Sequence, residues 1–238
     1  MAEQGGVASG RGKICLSLAG EDAAALIRMA EPLVHLADLV EIRLDSMRQP
    51  DIAPFVARFA LPILVTNRPQ WEGGAFSGTE EERLHLLNRA MRTGAAYVDI
   101  ELRTEDALRN ALLAKAHAQG VWPLVSWHDF NTTPDVADLQ AIFHAMRKSG
   151  ARSGKIVTTA ASSQDALRLL SVLEAAQAAT FPLSVFTMGT PGRITRLATL
   201  YLGGHISYAA AGTVEATAPG QLSISHLHAL CALFEETA

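Results

Sequence analysis

The chain alternates eight times between a short, β-rich apolar run and a longer amphipathic segment. Short apolar runs rich in branched residues predict buried strands, and apolar residues at helical spacing predict helices packed on one face. The predicted strands are Lys13–Ala19, Asp38–Leu44, Pro62–Asn67, Ala96–Leu102, Val121–Trp127, Ser153–Thr159, Leu183–Met188 and Ile206–Ala211. The predicted helices are Glu21–Ala37, Ile52–Phe59, Thr79–Arg92, Glu105–Gln119, Pro134–Lys148, Gln164–Ala178, Pro191–Leu202 and Leu222–Phe234. This alternation predicts a parallel sheet covered by helices.

Two architectures contain such a sheet, a closed (β/α)8 barrel and an open doubly wound sheet. The open sheet normally carries a glycine-rich nucleotide turn after its first strand, but Ala19-Gly-Glu-Asp22 stands there instead. A length of 238 residues without a Pro/Ser-rich linker fits one barrel. We therefore predict an α/β fold of the TIM-barrel type, with a flexible N-terminal segment at residues 1–12 and a single catalytic domain at residues 13–238.

Composition argues against several classes of protein. Twenty Lys and Arg residues against 24 Asp and Glu residues give a net charge of −4, without the cationic surplus of nucleic-acid binders. The polar N-terminal segment lacks the apolar region of a signal peptide, and glycines interrupt the long uncharged stretches, which disfavours a membrane span. Cys15 and Cys231 lie far apart in apolar contexts, which predicts buried thiols and a cytoplasmic location.

Several predicted strands carry polar residues where a parallel barrel strand should be apolar. These polar residues are Glu41 and Arg43, Asn67 and Arg68, Asp99 and Glu101, Ser126 and His128, and Lys155. Unpaired burial of such groups costs several kcal/mol each, on the order of 2–7 for an uncharged polar group. We therefore expect them to converge on one pocket at the carboxyl ends of the strands, where barrel enzymes carry out their chemistry.

Each candidate also has a purely structural interpretation. Glu41 and Arg43 could form a structural ion pair, Asp99 and Glu101 could balance nearby arginines, and His128 could be a satisfied core histidine. Lys155 is hardest to explain in this way, because lysine is rarely buried unless paired and its neighbours Ile156 and Val157 are apolar.

A lysine on an apolar strand has a specific chemical use. Burial favours the neutral amine, which can attack a ketone or aldehyde. The resulting iminium is an electron sink that acidifies the neighbouring C–H without a metal or cofactor. His128 on the adjoining strand is then the candidate general base, and arginines at nearby strand ends suit a carboxylate substrate. The residues thus predict a Schiff-base lyase or aldolase acting on an oxo-acid, or a barrel that merely binds a hydroxy acid with Lys155 as a charge partner.

An ordered series of motifs narrows this choice. The series consists of Ile14-Cys-Leu-Ser17, Val40-Glu-Ile-Arg-Leu-Asp45, Asn67-Arg68 with Glu72-Gly-Gly74, Tyr97-Val-Asp-Ile-Glu101, Ser126-Trp-His-Asp-Phe130, Gly154-Lys155, Met188-Gly-Thr-Pro-Gly192 with Thr195-Arg196, and Ala218-Pro-Gly-Gln221. Each motif alone is weak, but their order and spacing resemble type I 3-dehydroquinate dehydratase, the shikimate-pathway enzyme. The resemblance spans Lys13 to about Gln221.

This resemblance implies dehydration of 3-dehydroquinate to 3-dehydroshikimate in a homodimer that uses no cofactor and no metal. It implies that Lys155 forms the Schiff base, that His128 moves the protons and that Glu72 orients His128. The substrate-binding residues implied by the resemblance are Ser17, Glu41, Arg43, Arg68, Met188, Arg196, Thr217 and Gln221. The last of these lies in a Pro-Gly loop that closes over bound substrate in the family.

The sequence departs from the family at two positions and leaves one choice open. Thr195 and Thr217 stand where the family usually has serine; both keep the hydroxyl, so we expect modest effects. Arg193 is a second candidate for binding the substrate carboxylate beside Arg196. A different Schiff-base barrel lyase, such as an aldolase acting on a sugar acid or phosphate, explains Lys155 and the arginines but not the whole motif series.

Overall fold

The computed structural model describes residues 10–212 and 220–236. Its strands are β1 (Lys13–Leu18), β2 (Leu39–Arg43), β3 (Ile63–Thr66), β4 (Tyr97–Glu101), β5 (Trp122–His128), β6 (Ser153–Thr159), β7 (Leu183–Met188) and β8 (Ile206–Ala210). Its α-helices are α1 (Ala23–Ala30), α2 (Ala53–Arg58), α3 (Glu80–Thr93), α4 (Asp106–Ala118), α5 (Val136–Lys148), α6 (Ser163–Leu170), α7 (Val172–Ala178), α8 (Thr195–Tyr201) and α9 (Ile224–Glu235).

The eight strands form one parallel sheet that curls into a nearly closed barrel. Their order is β7-β6-β5-β4-β3-β2-β1-β8, so β1 to β7 pair in sequence order, β8 pairs with β1, and β7 and β8 form the two edges that meet at the seam. The remaining seam is held by the His205 N–H, which donates to Leu183 O at 2.9 Å, and by the Ile206 N–H, which donates to Ser184 Oγ at 3.0 Å. The predicted TIM barrel is confirmed, with helices alternating with the strands.

Local sequence explains where several helices begin and end. Helix α1 stops at Ala30, well before the predicted Ala37, because Pro32 follows and cannot donate to a continuing helix. Helix α3 begins with a capping box, in which Thr79 and Glu82 each accept a hydrogen bond from the other's backbone. Helix α5 starts at Val136, two residues after the predicted Pro134, because the Asp135 side chain is its N-cap.

The barrel interior changes from apolar to charged along its axis. Leu39, Leu64 and Leu124 lie near the amino ends of their strands and belong to one buried apolar cluster. The inward-facing positions further along β2, β4 and β6 carry charged residues instead, which places the unusual polar side chains at the carboxyl end. A larger apolar cluster lies between the strands and the helices.

Three further expectations concern the rest of the molecule. Cys15 and Cys231 are buried free thiols, as predicted. None of the helices in residues 10–212 and 220–236 is both long enough and apolar enough to cross a bilayer. The predicted flexible segment lies mostly outside the described residues, since the description starts at Gly10.

Candidate active site

A cavity opens at the carboxyl ends of the strands and gathers most of the candidate residues. Its lining consists of Glu41, Arg43, Arg68, Glu72, Gly73, His128, Phe130, Lys155, Val157, Phe186, Met188, Arg196, Tyr208 and Gln221. Of the nine polar strand residues expected there, five line the cavity. The other four, Asn67, Asp99, Glu101 and Ser126, are buried but are not lining residues of the described chain. Ser17 is buried and is not among the lining residues of the described chain, and Thr217 lies outside the described residues.

Lys155 lies in the middle of β6, where the sheet register places it beside Ser126 of β5. It is 4% exposed, and its Nζ lies 2.6 Å from Asp99 Oδ2. The same carboxylate oxygen also accepts a hydrogen bond from Arg68 Nη2 at 2.6 Å, while Ser126 Oγ donates to Oδ1. Burial raises the pKa of Asp99, but Arg68 and Lys155 outweigh burial and hold that pKa well below its usual range.

The sequence reasoning placed Lys155 among apolar neighbours and did not identify this partner. Ile156 and Val157 are indeed buried, yet alternate residues of a strand face opposite sides, so Ile156 points away from the cavity. The tip of Lys155 instead meets a carboxylate on one side and the Tyr208 ring on the other, 4.7 Å from the ring centroid. Lys155 is therefore a buried, paired lysine that lines an open cavity.

A second set of buried charges packs against the Lys155–Asp99 ion pair, on the side away from the cavity. Arg68 Nη1 donates to Glu101 Oε1 at 2.6 Å, and Arg83 donates to the other oxygen of Glu101. Arg83 is fully buried although it lies on helix α3, and it also binds Glu80 and Thr104. The interpretation that these carboxylates balance the charge of nearby arginines thus describes Glu101 well. Asp99 pairs with Arg68 and also contacts Lys155.

His128 ends β5 and is held by Glu72, which lies in a short 3₁₀ turn after β3. Glu72 Oε1 is 2.9 Å from the His128 backbone nitrogen and 3.1 Å from Nδ1. When Glu72 is ionised its carboxylate only accepts, so this pairing places the ring proton on Nδ1 and leaves the Nε2 lone pair available. Burial, followed by the positive charges of Arg68 and Lys155, lowers the pKa of His128 well below its ordinary value. The imidazole is therefore neutral at neutral pH.

The rings and turns around His128 fix its position. Phe130 stacks on the imidazole with ring centroids 5.9 Å apart and an interplanar angle of 12°. The tip of the Phe130 ring packs against Gly73, where a Cβ atom would lie 2.2 Å from the ring. Gly73 also has φ of 74°, a left-handed backbone conformation that favours glycine there.

Glu41 and Arg43 do not form the structural ion pair that was considered for them. Arg43 instead binds both oxygens of Asp45, at 2.9 and 2.6 Å. Glu41 accepts a hydrogen bond from Ser17 Oγ and another from Thr66 Oγ1 at 2.7 Å. Ser17 therefore supports Glu41 from below the cavity wall, and Glu41 and Arg43 both line the cavity.

The far side of the cavity is formed by the end of β7 and by α8. Arg196 is 1% exposed and lies over the Phe186 ring at 4.8 Å, whereas Arg193 is exposed at the rim and is not a lining residue of the described chain. Burial, followed by the charge of Arg193, lowers the pKa of Arg196 to about 10. This geometry favours Arg196 over Arg193 as the carboxylate-binding candidate.

Thr195 lies beside this wall and has a backbone-binding role. Its hydroxyl accepts from the Thr187 N–H at 2.9 Å and donates to Gly192 O at 2.7 Å. A serine hydroxyl could make both bonds, which agrees with the modest effect expected of this departure. Met188 and Gln221 both line the cavity.

Comparison with known proteins identifies the family of this barrel. The profile of type I 3-dehydroquinase matches residues 14–238. The chain is 41% identical to 3-dehydroquinate dehydratase of Desulfotalea psychrophila, over 93% of this chain and 98% of that protein. The chain belongs to the type I 3-dehydroquinase family.

Solved structures agree with this assignment. The type I 3-dehydroquinate dehydratase of Clostridium difficile is similar with a TM-score of 0.85 and 25% identity, covering 97% of this chain and 94% of that chain. The 3-dehydroquinate dehydratase of Geobacillus kaustophilus has a TM-score of 0.84 and 28% identity, covering 94% of this chain and 91% of that chain. The resemblance inferred from the ordered motifs is therefore confirmed at the level of the family.

The structure of this type I 3-dehydroquinase homologue also contains site residues that sequence reasoning did not single out. Tyr208 and Phe186 line the cavity beneath Lys155 and Arg196, but on the sequence they are ordinary aromatic strand residues. Asp45 orients Arg43 and accepts from the backbone of Arg68 at 3.1 Å. Asp45 closes the motif Val40-Glu-Ile-Arg-Leu-Asp45, but the sequence did not indicate that it binds Arg43.

Proposed function

We propose that this chain dehydrates 3-dehydroquinate to 3-dehydroshikimate through an imine on Lys155, with His128 as the general acid and base. The observation that carries the proposal is one cavity containing a buried lysine and a neutral, carboxylate-held histidine, in a member of the type I 3-dehydroquinase family. The Clostridium difficile relative was solved with covalently modified comenic acid, which supports a covalent route.

The first chemical step joins Lys155 to the ring ketone. A proton leaves the ammonium, the Nζ lone pair adds to the carbonyl carbon, and water is expelled to give a protonated iminium. Asp99 is placed to stabilise this cation, since its carboxylate lies 2.6 Å from Nζ. The iminium then draws electrons from the neighbouring carbon and acidifies its C–H bond.

The second step moves one proton through His128. The Nε2 lone pair removes the acidified proton, and the C–H electrons pass into an enamine. The enamine then pushes out the ring hydroxyl, which takes the proton from the imidazolium and leaves as water. Glu72 holds the ring through Nδ1 and stabilises the transient imidazolium. Hydrolysis of the iminium, which consumes one water, frees the conjugated product and Lys155, so the net reaction releases one water.

The remaining lining residues are proposed to hold the substrate. Arg196 suits the carboxylate, because a buried guanidinium offers bidentate hydrogen bonds. Glu41, Arg43 and Arg68 present charged groups to the ring hydroxyls, while Met188 and Gln221 complete the wall. Thr217 keeps its predicted substrate-binding role as a proposal that rests on the resemblance alone.

Borohydride trapping tests the proposal most directly. Protein incubated with 3-dehydroquinate and sodium borohydride should gain the mass of one reduced adduct, and peptide mapping should place it on Lys155. Lys155→Met should give no adduct and no measurable turnover. Lys13→Met is the matched control, because Lys13 also lies over a tyrosine ring but at the amino end of β1, and it should behave like the wild type. An adduct on another lysine, or none in the wild type, contradicts the mechanism.

A histidine variant separates the two steps. His128→Ala should still be trapped by borohydride, because imine formation does not require proton removal from carbon, but turnover should fall by about 10²–10⁴-fold. Undiminished turnover would remove His128 from the mechanism. The dehydrated product is a conjugated enone that absorbs in the ultraviolet, whereas aldol cleavage creates no such chromophore. The absorbance therefore distinguishes dehydration from the aldolase alternative.

The homodimer and the cytoplasmic location implied by the sequence remain proposals about this chain. Sedimentation equilibrium would test the dimer, with a mass of one chain contradicting it. Fractionation of cells that express the chain would test the location.

A further inference from the structure

The carboxylate of Glu72 has two oxygens in very different surroundings. Oε1 faces both the backbone nitrogen and Nδ1 of His128. Oε2 is buried and has no hydrogen-bond partner among the described residues. The Arg103 guanidinium approaches Oε2 at ion-pair distance, with Nη1 3.6 Å away.

Arg103 is held in place by an aromatic ring. Its guanidinium carbon lies 4.7 Å from the centroid of the Trp127 ring. Trp127 directly precedes His128 on β5, so the strand that presents the histidine to the cavity also supports the arginine. Stacking of this kind limits the conformations of an arginine whose side chain is 42% exposed.

We infer that Arg103 is a positioning residue that keeps Glu72 in its carboxylate form and so maintains the orientation of His128. This inference rests on the proposed function, since it concerns the same proton transfer. Arg103 itself faces Glu72 from behind and is not a lining residue of the cavity in the described chain. Its effect on the reaction therefore passes through Glu72.

The charges around Glu72 explain why a single arginine has an effect. Arg68 and Arg103 favour the carboxylate, Glu101 opposes it, and the neutral His128 contributes hydrogen bonds. Burial is the largest influence and raises the pKa of Glu72 from 4.5 to about 7. Glu72 is therefore present both as the carboxylate and as the neutral carboxylic acid near neutral pH. At this pH the loss of a nearby positive charge shifts the population toward the neutral acid.

The expected direction follows from these charges. Without Arg103 the pKa of Glu72 rises further, so the carboxylate is present only at higher pH. The acid limb of the kcat/KM profile should move upward by about 0.5 pH unit, because a partly exposed ion pair is screened by solvent. Turnover at pH 6 should fall by about threefold, while turnover at pH 9 stays within twofold of the wild type.

Arg103→Gln removes the charge, and Arg103→Lys restores it without the planar stacking group. We expect the acid limb to move in the first variant and to return toward the wild type in the second. Arg152→Gln is the matched control, because Arg152 also lies over a tryptophan, 5.3 Å from the Trp122 ring, and no carboxylate lies within ion-pair distance in the described chain. Arg152→Gln should leave the profile unchanged.

A second measurement does not depend on turnover. The ¹⁵N shifts of the His128 ring report its tautomer, and in Arg103→Gln the Nδ1–H form should be lost at a higher pH than in the wild type. An unchanged acid limb and unchanged ring shifts would overturn the inference, as would an equal fall in activity at every pH. A wild type without dehydratase activity would refute the proposed function instead, and the ring shifts would still test Arg103.

Discussion

Replacing Glu72 by glutamine should make the folded protein more stable at alkaline pH while impairing catalysis. The glutamine amide would keep the shape and one acceptor oxygen for the His128 N–H, but it carries no charge to bury. In the wild type burial raises the pKa of Glu72 from 4.5 to about 7. A raised folded-state pKa means that the stabilising contribution is complete at low pH and is lost as the pH rises through 7.

The size of this effect follows from the two pKa values. A shift from 4.5 to about 7 corresponds to about 3.4 kcal/mol at full ionisation, taking about 1.4 kcal/mol for each pKa unit. About 1.4 kcal/mol of this destabilisation is already present at pH 5.5, because the carboxyl of the unfolded chain is ionised there. The stability of Glu72→Gln relative to the wild type should therefore increase by about 2 kcal/mol between pH 5.5 and pH 8.5.

Urea unfolding at several pH values measures this difference. Comparing the two proteins at each pH cancels the contributions of the other titrating groups. Glu80→Gln is the matched control, because burial of Glu80 is outweighed by Arg83 and its pKa is lowered. That variant should lose stability by nearly the same amount throughout this range. Parallel stability curves for Glu72→Gln and the wild type would refute the assignment of a raised pKa to Glu72.

Two further predictions test other parts of the cavity. Arg196→Gln should raise KM by about tenfold or more, because a buried charged contact is worth on the order of 2–5 kcal/mol. Arg193→Gln should change KM less than threefold. Steady-state kinetics measures both values, and a larger effect for Arg193→Gln than for Arg196→Gln would contradict the assignment. Tyr208→Phe should leave the free energy of unfolding unchanged or raise it by about 1 kcal/mol. The reason is that the buried Tyr208 hydroxyl has no hydrogen-bond partner among the described residues. A clear loss of stability in urea unfolding would show that the hydroxyl is hydrogen-bonded.

The fold could be predicted because each unit carried its own local pattern. The βα alternation identified all eight strands within a residue or two, and the capping box at Thr79 marked the start of α3. Errors occurred where a short-range signal competed with the helical pattern. Pro32 shortened the first helix, and the segment predicted as one helix from Gln164 to Ala178 is divided at Ser171 into α6 and α7. These differences lie on the outside of the barrel and do not move the site.

The sequence indicated which residues belong to the site more clearly than it indicated which of them form ion pairs with one another. A charged residue on a core strand or just after its end is visible in sequence, so Glu41, Arg68 and Lys155 could be selected without coordinates. Which carboxylate meets which cation depends on strand stagger and on side-chain reach, neither of which periodicity determines. Arg83 shows the limit, because a helix arginine beside glutamates reads as a surface residue although it is fully buried against Glu101.

The pairing of Lys155 changes the physical account of how this lysine would work. The sequence argument relied on apolar surroundings to supply a neutral amine, but the carboxylate of Asp99 at 2.6 Å stabilises the ammonium instead. In the proposed reaction the iminium that replaces the ammonium is also a cation and occupies nearly the same position. Asp99 therefore pairs with the resting ammonium and with the proposed iminium alike, while the uncharged imine, which is a poorer electron sink, gains nothing from it. In the proposed reaction the ion pair thus favours the reactive, cationic form of the intermediate over the uncharged imine.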